Sequence, residues 1–237
     1  IEALIVALTT VEERVKAMGR YGFSWAVGFL VGPAVGGLVL ERYDFLHLFM
    51  MASMSGALAA VVAFGGLLMK FKSKPVEMSA EMLRQKISKA AFIPIYIVIV
   101  TYSIALGLIF SIFPAYANSY NITSFQIGVL FAVFGVSRTL VFLQSENISK
   151  IGIREAISLA LIIQAISLTG IAYLTSLEFF IILMALMGST IGIFSPLTLS
   201  TVSKMTSRGR VGVVIGFTET FFGIGMTIGP FIGGVLA

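Results

Sequence analysis

Gly28-Phe29-Leu30-Val31-Gly32-Pro33-Ala34-Val35-Gly36-Gly37 returns near the end of the chain as Gly225-Met226-Thr227-Ile228-Gly229-Pro230-Phe231-Ile232-Gly233-Gly234, at a constant offset of 197 residues. The shared pattern is Gly-x-x-x-Gly-Pro-x-x-Gly-Gly. Glycines four apart lie on one face of a helix and let a neighbouring backbone come close, whereas a proline inside a helix removes a hydrogen bond and bends it. A helix that only anchors a protein in lipid needs neither. The two stretches therefore read as equivalent helices of a duplicated membrane architecture. Each has one face made for tight helix contact, at Gly28, Gly32, Pro33, Gly36 and Gly37 in the first and at Gly225, Gly229, Pro230, Gly233 and Gly234 in the second. Gly19 and Gly216 extend the match toward the N-terminus.

Composition sets the class. Hydrophobic residues make up 58% of the chain and charged ones 11%, with a mean hydropathy of +1.02. A soluble domain of this size has too little interior for so much apolar surface, so the chain reads as an all-α polytopic protein whose partner is the lipid bilayer. The net charge of +5 and pI of 9.6 would suit nucleic acid only if the basic residues shared one soluble face. They are instead scattered over short joints, and no nucleic acid is expected. Zero cysteines exclude disulfides and thiolate metal sites, and the single His47 with scattered carboxylates offers no metal-ligand spacing. No cofactor or metal is expected. Because the chain opens on Ile1 inside an apolar segment, its N-terminus is expected to lie upstream.

Apolar runs of roughly 20 residues predict a remnant helix at 1–9 and seven full spans near 18–40, 45–70, 91–117, 124–146, 153–175, 178–203 and 211–236. Capping boxes are read at Thr123-Ser124-Phe125-Gln126 and Thr175-Ser176-Leu177-Glu178. The joints alternate in charge. Arg14, Lys16 and Arg20 lie in the first, Lys70, Lys72, Lys74, Arg84, Lys86 and Lys89 in the third, Lys150 and Arg154 in the fifth, and Lys204, Arg208 and Arg210 in the seventh. Only Arg42 and Arg138 fall elsewhere. The positive-inside rule makes the basic side cytoplasmic, so a multi-pass protein of the cell membrane is expected, with the 71–90 loop in the cytoplasm. That loop divides the chain into residues 1–70, the end of an N-terminal helical bundle, and residues 91–237, a C-terminal bundle. It reads either as a surface helix over Val76–Lys89 or as a solvated tether.

Internal duplication with interrupted helices marks secondary transporters, and these residues resemble the major facilitator superfamily. Glu13-Arg14-Val15-Lys16-Ala17-Met18-Gly19 leading into the first motif resembles the family's fifth helix, the basic loop its central cytoplasmic loop, and the second motif its eleventh helix. The resemblance implies a two-bundle transporter fold, here incomplete, running from the end of the fourth helix to the eleventh. The family's turn Gly-x-x-x-Asp-Arg-x-Gly-Arg-Arg is matched by Ser145-Glu146-Asn147-Ile148-Ser149-Lys150-Ile151-Gly152-Ile153-Arg154, which keeps Lys150, Gly152 and Arg154 but has Ser149 in place of the acid. Because the family's fifth and eighth helices meet, the resemblance places Lys150 and Arg154 near Glu12 and Glu13 as a cytoplasmic latch.

Two ionisable residues sit inside apolar runs: Arg138 in Phe134-Gly135-Val136-Ser137-Arg138-Thr139-Leu140, and Glu219 in Phe217-Thr218-Glu219-Thr220-Phe221. A charge there is costly unless paired or facing water. One reading makes Glu219 a proton carrier or substrate counter-charge, with Arg138 tuning it or holding an anionic group; the other makes both a structural pair. Tyr102, Ser103, Ser189, Thr190 and Ser195 lie on segments that match the family's cavity-lining seventh and tenth helices, though small polar residues also serve packing. Pro114 and Pro196 are candidate kinks, and His47 and Trp25 read as interfacial or packing residues. No nucleophile–base set, phosphate loop or paired catalytic carboxylates occurs, so no enzyme is expected. By resemblance, the first motif implies an antiporter: proton-coupled efflux of a small organic or drug-like solute. An importer of the same family, or a transport-dead receptor or scaffold, is the alternative.

Overall fold

The computed structural model describes residues 11–67, 89–144, 147–148, 150–206 and 211–236. Its helices are α1 (Val11–Arg42), α2 (Phe45–Leu67), α3 (Lys89–Ser111), α4 (Phe113–Ser119), α5 (Ser124–Leu143), α6 (Ile153–Tyr173), α7 (Leu177–Lys204) and α8 (Val211–Leu236). The remnant at 1–9 and nearly all of the 71–90 loop lie outside the described residues. Six helices, α2, α3 and α5 to α8, are long and apolar enough to cross a membrane. The seventh predicted span is α1, whose 32 residues extend about 48 Å at 1.5 Å per residue. The chain is a multi-pass, all-α membrane protein.

Local chemistry explains where these helices start and stop. At α5 the Thr123 side chain accepts from the Gln126 N–H at 3.3 Å, and the Gln126 carbonyl oxygen Oε1 accepts from the Thr123 N–H at 2.9 Å. This reciprocal bond satisfies two amides at the helix start, as the capping box predicts. At α7 the helix opens at Leu177, and the Ser176 carbonyl accepts from Phe180 at 3.0 Å, so Ser176 holds the cap position one residue after Thr175. Asp44 caps α2 by accepting from the His47 N–H at 3.1 Å, while His47 Nδ1 lies 2.6 Å from the same carboxylate oxygen. α6 opens at Gly152, whose φ of +120° is open to glycine and strained for other residues. The predicted single span 91–117 is interrupted at Ile112, because Pro114 has no N–H for the Phe110 carbonyl; α4 restarts with that proline in its first turn. By contrast, α1 continues through Glu12–Arg20 and reaches Arg42, since Glu, Arg and Lys form helix readily.

Helix α1 lies along α5, α5 along α7, and α7 along α6, while α3 pairs with α8 and this pair touches α7. Helix α2 leans on α1 with none of its span buried. The shared interior is rich in phenylalanine. Phe110 meets Phe131 at 5.6 Å and Phe134 at 5.7 Å, and Phe113 meets Phe180 edge-on at 5.3 Å. Ring pairs of this kind add about 0.5–1.5 kcal/mol each. Since lipid is as apolar as these side chains, close packing, not the exclusion of water, holds the helices together.

Glycine sets how near they come. A Cβ on Gly128 of α5 would stand 2.5 Å from the Pro33 carbonyl oxygen, and one on Gly37 of α1 would stand 2.5 Å from that of Ser124. Gly188 and Gly192 of α7 press in the same way on the carbonyls of Phe134 and Arg138. In the α3–α8 pair, Gly225 abuts Ser103 and Val100, Gly229 the Ile104 carbonyl, and Gly233 the side chains of Leu108 and Ile112. Gly107 returns the contact, with a Cβ position 2.6 Å from the Met226 carbonyl oxygen. The first motif departs from expectation: among the described residues nothing lies within 4 Å of a Cβ on Gly28 or Gly32, and Gly36 has only an ordinary 3.5 Å contact with Leu48. The reason is the side from which α5 approaches. It meets the face of α1 carrying Phe29, Pro33 and Gly37, one residue round from the Gly28–Gly32–Gly36 stripe. Gly234 at the end of the second motif is likewise open.

Candidate functional site

Arg138 occupies the middle of α5 and is half-buried. Its guanidinium carbon lies 5.9 Å from the centre of the Phe29 ring of α1, so the cation faces the π-surface of the helix that α5 packs against. Glu219 lies on α8 beside the buried Thr218, and its side chain is exposed on the open flank of the helix. Tyr102 of α3 packs against both α7 and α8. Only 5% exposed, it stacks almost parallel on Phe194 of α7 at 4.9 Å and 4°, and leans on Phe222 of α8 at 6.0 Å. From α6, the Gln164 amide donates to the Tyr102 carbonyl at 3.4 Å.

The other polar candidates turn inward on their own helices. Ser103 is buried, donates to the Val100 carbonyl at 3.0 Å and serves as the surface on which Gly225 rests. Ser189 donates to Ala185 at 2.8 Å and the buried Thr190 to Met187 at 2.7 Å. The half-buried Ser195 offers its carbonyl to Thr198 at 3.3 Å. The first three of these bonds satisfy the Ser103, Ser189 and Thr190 hydroxyls within the helix that bears them. Thr198, Phe194, Phe222 and Gln164 are the residues that sequence reasoning missed. The signal was present in Thr190, Phe194 and Thr198, spaced four apart and so on one face of α7.

Of the proposed latch, Lys150 Nζ donates to the Asn147 side chain at 3.0 Å and Arg154 is exposed in the first turn of α6. The Glu12 and Glu13 side chains, and the whole of Ser149, lie outside the described residues. On α1 an open groove of about 600 Å³ is lined by Ser24, Gly28, Phe29, Gly32 and Pro33. It borders the ring that faces Arg138.

The chain is similar in sequence to known proteins. A family model described as the Major Facilitator Superfamily matches residues 1–230. Multidrug resistance protein 2 of Bacillus subtilis (strain 168) is 24% identical over 253 residues, covering 100% of this chain and 61% of that protein. Multidrug resistance protein 1 of the same strain is 27% identical over 248 residues, with coverage of 100% and 61%. Solute carrier family 22 member 18 of Mus musculus is 24% identical over 259 residues, with coverage of 99% and 61%. The chain spans about three fifths of the length of these curated relatives. With a family match that takes in the first glycine–proline helix and reaches Pro230 of the second, the chain belongs to the Major Facilitator Superfamily.

Proposed function

We propose that this chain forms the greater part of a secondary transporter that moves a small organic or drug-like solute outward across the cell membrane by alternating access, in exchange for protons. The observation that carries the proposal is a basic and an acidic side chain inside membrane-spanning helices, Arg138 half-buried on α5 over the Phe29 ring and Glu219 on α8. Intramembrane ionisable groups are expensive and mark ion or substrate pathways. Glu219, on the open flank of α8, takes up and releases the coupling proton. Arg138, held over Phe29, supplies the positive charge against which that proton is exchanged. A shift of α8 relative to α5 would change the distance between the two charges, and at low dielectric such a change alters the proton affinity of the acid strongly. The names of the two Bacillus relatives, multidrug resistance proteins, support drug-like cargo.

The 71–90 segment is cytoplasmic in this reading, joining residues 1–70 of one bundle to residues 91–237 of the other. A cysteine at Ser79 should be labelled only after the membrane is permeabilised. For the coupling step, the protein expressed from its entire reading frame is reconstituted in proteoliposomes. Glu219→Gln should abolish pH-gradient-driven transport while leaving solute exchange largely intact, and Arg138→Ala should shift the pH dependence. Normal gradient-driven transport by the Glu219→Gln protein would remove Glu219 from the proton path. Loss of both charges without effect on any activity would favour a receptor or scaffold.

A further inference from the structure

We propose that the break at Ile112–Pro114 is a hinge: the α3–α8 pair swings about it, while α4 stays clamped to α6 and α7 by Tyr116. For its effect on transport the inference rests on the transporter reading above. The clamp is visible in the bonds. Tyr116 of α4 shares its one hydroxyl proton between two carbonyls of α6, Ile171 at 3.2 Å and Ala172 at 3.1 Å. Both lie in the last turn of α6, where carbonyls have no partner in their own helix, and in lipid such groups must be satisfied by other protein groups. The Leu174 N–H serves Gly170 at 2.8 Å, so α4 supplies the next two bonds of the cap. Toward α7, Phe113 and Tyr116 meet the fully buried Phe180 at 5.3 and 6.4 Å, and toward α5, Phe113 meets Phe131 at 6.1 Å. The short helix is thereby bound to three others.

Helix α3 is held differently. Gly225, Gly229 and Gly233 of α8 lie against it, so these two helices keep contact as they move. Toward α7 it presents a flat contact, the Tyr102–Phe194 ring stack at 4.9 Å and 4°, across which rings can slide. Between α3 and α4 the backbone is continuous but weakened. Ile112 keeps right-handed helical angles (φ −97°, ψ −39°), its N–H donates to Leu108 at 2.9 Å, and its carbonyl accepts from Tyr116 at 3.0 Å. Pro114 leaves the Phe110 carbonyl without a helix donor. A joint of this kind bends without unravelling. Room for the bend lies beside it, in an open apolar cavity of about 190 Å³ lined by Leu108, Ile112 and Phe113 on one side and Leu168 and Ile171 of α6 on the other. Ile93 lies about 28 Å from Ile112 at 1.5 Å per residue, so a swing of about 10–15° carries it through about 5–7 Å. Glu219, on α8, travels with it relative to Arg138 on α5.

The test needs no substrate. In the protein expressed from its entire reading frame and held in lipid nanodiscs, spin labels on cysteines at the exposed Ile93 of α3 and Ser158 of α6 report the far end of the swing, and labels at the exposed Ala115 of α4 and Tyr173 of α6 report the clamp. The first pair should give a broad or two-peaked distance distribution, the second a single narrow one. Pro114→Ala restores the missing N–H without adding bulk; the Ile93–Ser158 distribution should narrow to one population, and transport in proteoliposomes should slow at least about tenfold, as expected when a conformational step becomes limiting. Tyr116→Phe keeps the ring and removes the clamp, and the Ala115–Tyr173 distribution should broaden. If Pro114→Ala changes neither the Ile93–Ser158 distribution nor the transport rate, or if the Ala115–Tyr173 pair is as broad as the first in the unmodified protein, the hinge is overturned. Should both pairs behave as expected while Glu219→Gln retains normal gradient-driven transport, the coupling reading falls and the hinge stands.

Discussion

The two glycine–proline helices carry the same pattern and yet are used differently. In α8 the stripe Gly225–Gly229–Gly233 is filled along its length by α3. In α1 the matching stripe is open among the described residues, and contact with α5 runs through Gly37 and through the carbonyls of Phe29 and Pro33. A repeated motif therefore repeats a capacity for close approach; which helix makes use of it depends on what arrives on that face. The two interfaces also differ in which helix provides the small residues. At α3–α8 the motif provides most of them, whereas at α1–α5 Gly128 and Gly135 of the partner do so as well.

The sharpest way to break this comparison is to add bulk at matched positions. Gly229→Leu drives a side chain into the Ile104 carbonyl, and overpacking of this kind costs about 1–3 kcal/mol or more, so folded yield and thermal stability in detergent should fall sharply. Gly32→Leu, at the equivalent place, should be tolerated far better by the described part of the chain. Equal losses would show that a helix occupies the α1 stripe as fully as α3 occupies that of α8. Gly128→Leu should cost about as much as Gly229→Leu, because its Cβ already meets the Pro33 carbonyl. The two interfaces share no partner residues, so the double variant should be additive within about 0.5 kcal/mol. Strong coupling would mean that they form one cooperative unit.

Smaller changes sharpen the contrast. Thr123→Ala removes the cap that sets Ser124 against Gly37 and should cost about 0.5–2 kcal/mol. Hydrogen exchange should rise in the first turn of α5 and along the α1 contact, with α3 and α8 unaffected. The smallest effect is expected at Asp44, where α1 turns into α2. Its carboxyl is held below the usual carboxylate range, first by the hydrogen bond with the His47 side chain and then by the His47 N–H. Because the folded value is the lower one, this cap is fully effective above the unfolded value near pH 4 and is lost as the pH falls through the folded value. Amide exchange in the first turn of α2 should therefore rise at acid pH, and Asp44→Ala should abolish that pH dependence without altering α3–α8.

Much of the fold was legible because membrane helices advertise themselves. The α8 boundaries were readable from an apolar run between Arg210 and the second motif, and the start of α5 from Thr123 and Gln126. The break at Ile112 was harder: Pro114 signals a defect, but whether a defect bends a helix or ends it depends on what stabilises the far side. Here Tyr116 does so, donating to the carbonyls of Ile171 and Ala172 at 3.2 and 3.1 Å. At the candidate site Arg138 and Glu219 were conspicuous, since charges are rare in such runs. Phe194 was not, because its importance comes from its ring stack with Tyr102, which is 92 residues away in sequence. For the same reason nothing in the motif itself revealed that α5 would meet α1 one residue round from its glycine stripe.

Both motif prolines share one further property. Pro33 cannot donate to the carbonyl of Phe29, nor Pro230 to that of Met226, and each of those oxygens faces a glycine across the interface, Gly135 in one case and Gly107 in the other. A Cα–H contact to a carbonyl is worth perhaps 0.5–1 kcal/mol and has a shallow dependence on position. Flexing either helix at its proline sacrifices no internal bond, and directly opposite each freed carbonyl the facing residue is a glycine, with no side chain to be lifted over. Each pair behaves mechanically as a flexure resting on a smooth bearing: stiff against separation, compliant against a small rocking displacement of one helix along the other.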